Sequence, residues 1–226
     1  MRHLPLRSLC AIAGLLAAVP AQTVHAQADQ RSLVTEATVT LANFRNDPGM
    51  TWLQHHLPTA KAVLIAPELT KAGFIVGGSG GRAVVVVRDP KSGKWVGPAF
   101  YTLATASVGL QAGIAVTEMV SLIMTDRGLN SLLSGTFKMG GDATVAAGPV
   151  GAGAQADMVA DIISFSRATG VYGGVNFDGT VVAPSEQWNE IYYGKPVRAT
   201  DILVSMSVHN KQASELLNLL YAASHP

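Results

Sequence analysis

The sequence predicts an α+β domain: a strongly bent, mostly antiparallel β-sheet or small barrel, with helices at the N- and C-terminal ends. Three observations carry this. Helical spacing of apolar residues clusters at the two ends of the chain. Strand-length apolar runs fill the middle without alternating with helices, which argues against a βαβ arrangement. Most of the 23 glycines fall in that middle region, and glycine within strands marks bulges and sharp coiling.

The elements follow in order. Residues 29–46 place Leu33, Ala37, Leu41 and Phe44 at helical spacing, and Asp29 or Ser32 can cap them. A short helix after Asp47-Pro48 carries Met50, Trp52 and Leu53 and ends before Pro58. Ala62 to Ala66 reads as a buried strand. Residues 73–89 read as strand, glycine turn at 77–81, strand, and 89–94 as a turn. Trp95 opens a long β region through Met124. Residues 126–135 read as a helix, and strand patterns resume at 138–150, 157–167, 171–177 and 180–182. Pro184-Ser185-Glu186 opens a helix with Trp188, Ile191 and Tyr192. A last helix over about 208–223 aligns Ala213, Leu216, Leu217, Leu220 and Tyr221.

The first 26 residues read as a secretory signal peptide. Arg2, His3 and Arg7 form a basic start, Leu9 to Val19 an apolar stretch, and small residues follow near Ala26 and Ala28. That stretch is too short to span a bilayer. The expectation is therefore an exported, periplasmic or envelope-associated protein with one domain over 27–226. Cys10, the single cysteine, lies at the start of the apolar stretch rather than at the cleavage point. The mature chain would then hold no disulfide and depend on its core. Cleavage removes Arg2 and Arg7 from 16 basic residues and no acidic one, leaving 14 against 15 and a net charge of −1. This weak charge excludes a broad field for nucleic acid. No transmembrane helix is expected in the mature chain.

Several motifs fail on context. Gly77-Gly78-Ser79-Gly80-Gly81 matches G-x-S-x-G, but a hydrolase elbow needs a helix after the serine. Here Arg82 to Val87 follow, with strong strand propensity. The overlapping G-x-G-x-x-A from Gly78 to Ala83 fails on the same ground. A serine hydrolase using Ser79 is thus the least favoured reading. No metal-ligand spacing, cofactor fingerprint or catalytic constellation is found. His55 and His56, adjacent on a helix, point about 100° apart.

Two sets of charges stand out. In a strand from Gln111 to Met124, Glu118 shares its face with apolar Val116, Val120 and Leu122. A carboxylate there needs a partner, and Arg82, Arg127 and Lys138 are the candidates. Glu118 and Arg127 are accordingly expected as structural buried charges. Arg82, Arg88, Lys91 and Lys94 gather around one hairpin beside Trp95, a device suited to an anionic lipid surface.

Residues 107–151 closely resemble the SYLF-domain family. In order they carry Gly109-x-Gln111-x-Gly113, Glu118, a short helix with Leu132-Leu133, Lys138, Gly141-Asp142 and Val145 to Gly151. The likeness extends over roughly 60–200, through Ser164 to Arg167 and Gly170 to Val175. It implies lipid binding: eukaryotic relatives bind phosphoinositides, and some engage actin and carry an SH3 domain. Bacterial relatives are exported single domains. Residues 29–60 depart from a basic amphipathic helix, with only Arg31 and Arg45. The function expected is a non-enzymatic, cofactor-free lipid-binding module of the cell envelope, contacting anionic or phosphoinositide-like headgroups through Arg82, Arg88, Lys91, Lys94 and Lys138. The alternative is an envelope scaffold that binds another protein.

Overall fold

The computed structural model describes residues 22–73, 76–108, 113–151, 159–168, 171–173 and 177–225. Helix α1 (Gln22–Asn46) is followed by α2 (Thr51–His56) and the long strands β1 (Ala62–Gly73), β2 (Val76–Arg88), β3 (Trp95–Val108) and β4 (Gly113–Ile123). Then come α3 (Asp126–Leu133), β5 (Phe137–Lys138), β6 (Val145–Ala147), β7 (Ile162–Ala168), β8 (Val171–Gly173) and β9 (Val181–Pro184). Helices α4 (Glu186–Tyr193), α5 (Ala199–Leu203) and α6 (Ser214–Ser224) complete the chain.

The strands form one sheet in the order β5-β9-β3-β2-β1-β4-β7-β6, with β8 also pairing β7. All neighbours are antiparallel except β6 and β7. The sheet curls into a half-barrel with helices at both ends of the chain. Chain length forces the curl. The outermost strands, β5 and β6, are separated in sequence only by residues 139–144. Laid flat, eight strands would put these edges about 34 Å apart at about 4.8 Å per neighbour. The link, fully extended, spans at most about 25 Å.

Both faces of the sheet are buried over its lower half. Val63, Ile65, Val84, Val86, Val120 and Leu122 face α1, α2, α4 and α6. Leu64, Ala83, Val85, Tyr101, Met119 and Ile123 face α3, α5 and the residues around them. This explains the unbroken run Val84 to Val87, since alternate residues enter different cores. From α1, Leu41 and Phe44 are fully buried, each contributing about 1.5–3 kcal/mol. Gln27 ties the same helix to α4, its amide donating to the carbonyls of Ile191 and Tyr192 at 3.3 and 3.2 Å.

Two prolines mark the sheet's irregularities. The register of β1 slips between Ala66 and Leu69 around Pro67, and that of β2 against β3 slips opposite Gly97-Pro98. Proline cannot donate to a ladder, so it is tolerated at bulges. The first bulge reverses the faces of β1: Glu68 and Thr70 turn toward the α1 side, and Leu69 joins the opposite core.

Several expectations are corrected. Glycines 77–81 are not a turn. They lie inside β2, paired with Leu69 to Gly73 of β1 and with Leu103 to Ser107 of β3. Close approach explains Gly81: a Cβ there would stand 2.2 Å from the Glu68 carbonyl oxygen, where the bulge presses on β2. The expected strand over 138–150 shrinks to the short β5 and β6, because a turn at residues 140–142 folds back on Lys138. The last helix starts at Ser214 rather than near 208, and α5 was not anticipated.

Candidate functional site

The hairpin joining β2 and β3 ends one edge of the molecule in a basic turn. Lys91 and Lys94 are exposed. Asp89 organises the turn, accepting from the Lys91 and Ser92 amides at 3.2 and 3.0 Å. The Ser92 hydroxyl, followed by these amides, holds the Asp89 carboxyl below its ordinary value. Arg88 is committed elsewhere: its guanidinium bonds the Pro58 carbonyl, and its Nε donates to the Gly93 carbonyl at 3.3 Å. It therefore staples the hairpin to the segment after α2. Lys61 is adjacent, its carbonyl accepting from the Arg88 amide and its ammonium 2.8 Å from Asp126.

Trp95 is not the exposed aromatic that its position suggests. It is 5% exposed, and its indole N–H donates to the Ser224 hydroxyl at 2.9 Å. Docking of α6 covers it. The remaining predicted lipid contacts lie apart. Arg82 is six residues up β2 from Arg88, about 20 Å away at 3.3–3.4 Å per residue. Its guanidinium sits over the Trp188 ring, 3.9 Å from the centroid. Exposed Lys138 is on β5, in register with Val181 of β9. The five predicted residues thus form one pair at a turn, one hairpin staple and two separate cations, Arg82 in register with Glu68 of β1 and Lys138 on β5, not a single patch.

The charge pairs also differ from expectation. Glu118 shares its face with Val120 and Leu122, but its partner is none of Arg82, Arg127 and Lys138. Arg167, opposite it on β7, donates to Glu118 Oε2 from Nε at 2.7 Å, while Thr40 of α1 donates to Oε1 at 3.1 Å. Both side chains are about a quarter exposed, so the pair is half-buried rather than deep. Arg127 is not buried: its side chain is 59% exposed. It lies 3.3 Å from Asp161, which is the buried acid of this region. Asp161 accepts from the Thr125 hydroxyl and from the amide and hydroxyl of Thr144, both at 2.8 Å. Burial pushes its carboxyl up, but those bonds and Arg127 outweigh burial and hold it below the ordinary value.

A groove of about 300 Å³ opens between α1 and the upper half of the sheet. Thr35, Glu36, Val39 and Thr40 line it from the helix, and Pro67, Glu68 and Glu118 from the strands. The β1 bulge brings Glu68 there, a re-aiming that no alternation rule reveals. The groove has three carboxylates, and among the described residues Glu118 alone of them has a cation bonded to it, Arg167. The Glu36 and Glu68 carboxylates accept from the hydroxyls of Ser32 and Thr70, at 2.8 and 3.1 Å.

Ser79 stands in mid-strand, in register with Lys71 and Thr105. The strand runs on to Arg88, so the turn-to-helix context of a hydrolase elbow is not found around it. Among the described residues no group of three His, Cys, Asp or Glu side chains could hold a metal ion. No described helix is long and apolar enough to cross a membrane.

Residues 104–223 match the family model Ysc84, described as Las17-binding protein actin regulator. The match covers just over half of the chain. It belongs to the Ysc84 (SYLF-domain) family. The matched Ysc84 region takes in β4, β7, Glu118 and Arg167, and all of the C-terminal helices. Among curated relatives, SH3 domain-containing YSC84-like protein 1 of Homo sapiens is 30% identical over 181 residues, covering 78% of this chain and 52% of the relative. The same protein of Bos taurus is 29% identical with the same coverage. LAS seventeen-binding protein 3 of Saccharomyces cerevisiae is 34% identical over 154 residues, or 65% of this chain and 33% of that protein. The chain therefore spans about half, or less, of the length of the Ysc84-family proteins it matches.

Proposed function

We propose that the chain is a non-enzymatic module of the cell envelope that docks on anionic lipid through the basic end of its sheet. The observation that carries this is the β2–β3 turn: exposed Lys91 and Lys94, on a hairpin that Arg88 staples in place. Over residues 88–94 three basic side chains meet one acid, Asp89, whose oxygens are taken up within the turn. Such residues near an anionic surface contribute about 1 kcal/mol each. Anionic or phosphoinositide-like headgroups fit this chemistry, as the family resemblance implies.

The groove argues for surface docking rather than a headgroup pocket. Its three carboxylates would repel phosphate, and Arg167 already neutralises one of them. A non-catalytic role is supported by the strand setting of Ser79, by a relative named for binding and by a family described as an actin regulator. Export through residues 1–26 belongs to the same proposal and would put the module at the periplasmic membrane surface.

Flotation with liposomes, with and without anionic lipid, is the test. Co-flotation is expected only with anionic lipid, weakening as salt rises, because exposed charges are screened over about 8 Å at physiological ionic strength. Equal behaviour with neutral and anionic vesicles at low salt would contradict the proposal. So would labelling by a serine-reactive probe that is lost in Ser79→Ala, since that would reveal a nucleophile.

A further inference from the structure

We propose that the groove between α1 and the sheet is a docking site for an extended basic segment of a partner protein, separate from the lipid-contacting end. The groove is built by two features already described. Helix α1 leaves the exposed Val39 beside the sheet, 54% accessible although apolar. The bulge at Pro67 turns Glu68 out of its alternating place and into the same groove. Val39 and Pro67 give the groove its apolar lining, beside Thr35 and Thr40.

Charge complementarity selects the occupant. Glu118 is neutralised by Arg167, and Arg82, in register with Glu68, carries its guanidinium over the Trp188 ring, so among the described residues Glu36 and Glu68 keep their charges at the rim with no cation bonded to them. An acidic or phosphorylated partner would meet this pair unfavourably. A lysine or arginine can lay its aliphatic stem on Val39 and Pro67 and place its charged end between the two glutamates. At about 300 Å³ the groove lies at the lower end of ligand-site volumes, which suits one or two side chains of a peptide better than a cofactor. The Glu118–Arg167 pair, bonded by Thr40, fixes the inner wall.

The test is fluorescence anisotropy with the purified protein and two labelled eight-residue peptides. One alternates leucine with arginine, the other leucine with glutamate. The arginine peptide should bind at least ten-fold more tightly than the glutamate peptide. The double variant Glu36→Gln, Glu68→Gln should weaken it between about two-fold and about thirty-fold, since each exposed ion pair contributes about 0.2–1 kcal/mol. Val39→Lys, which puts a competing cation into the groove, should weaken it as well. Lys91→Gln with Lys94→Gln should leave peptide binding unchanged. Both groove variants alter exposed residues and should keep the wild-type melting temperature. No binding of the arginine peptide, equal binding of the two peptides, or wild-type affinity in both groove variants would overturn the proposal. Loss of anionic-vesicle flotation in Glu36→Gln, Glu68→Gln would also overturn it, by making the groove part of the lipid surface.

Discussion

At the scale of residues, two carboxylates hold distant parts of the chain together. Glu118 joins β4 to β7 through Arg167 and to α1 through Thr40. Glu118→Ala removes the carboxylate that a half-buried guanidinium bonds and should destabilise the fold by about 1–2 kcal/mol. Glu118→Gln should cost less, and Arg167→Ala combined with Glu118→Ala less than the two single changes summed. Urea unfolding of the four proteins measures this; strict additivity would mean that the pair is not coupled. Asp161 has a pH signature. Its folded pKa lies below the ordinary 3.8, so the unfolded chain takes up the proton more readily. Its contribution is fully present above that unfolded value and is lost as pH falls through the folded one. The stability gap between wild type and Asp161→Asn should therefore be constant at neutral pH and narrow below about pH 4. A gap that widens on acidification would contradict the assignment. The importance of Glu118 was legible in the sequence because a carboxylate stood among apolar strand residues. Arg167 was not, because strand periodicity says nothing about which strand pairs with β4. Asp161 gave no signal, since its partners Thr125 and Thr144 lie in separate elements.

At the scale of elements, the long hairpins were legible as strands but not as pairings. The run from Arg82 to Val87 announces a strand, while glycines 77–81 imitate a turn. Their role depends on the bulge at Pro67, which only the packed sheet reveals. This gives a sharp contrast between neighbours. A Cβ on Gly81 would stand 2.2 Å from the Glu68 carbonyl oxygen, and one on Gly80 only 3.6 Å from the nearest atom, the Leu103 carbonyl oxygen. Gly81→Ala should destabilise by about 1–3 kcal/mol, as overpacking against fixed backbone does, and Gly80→Ala by much less. Equal melting temperatures for the two would mean that the bulge does not press on β2. Helix α5, five residues long, has too few turns to show a period, and Trp95 looks exposed in sequence because α6, which covers it, follows far along the chain. The staple formed by Arg88 has a consequence of the same kind. Arg88→Gln should lower stability by about 1 kcal/mol through its lost carbonyl bonds, whereas Lys91→Gln with Lys94→Gln should stay within about 0.5 kcal/mol of wild type.

At the scale of the molecule, the α+β class and the bent sheet follow from where the glycines and the helical periods fall. The degree of curl follows from the short link between the outermost strands. Polarity is the property that sequence order hides: the sheet has a basic end at the β2–β3 turn and an acidic groove on its upper half, with Arg82 beside the groove in register with Glu68 and Lys138 on β5. The central claim is that the basic turn is the lipid contact, and the direct measurement is flotation on anionic liposomes across a salt series, wild type against Lys91→Gln with Lys94→Gln. The double change leaves the Arg88 staple in place, so a loss reports contact rather than unfolding. The account predicts about a ten- to thirty-fold loss at low salt, from about 1 kcal/mol per charge, shrinking as salt rises. Binding indistinguishable from wild type at low salt would contradict it.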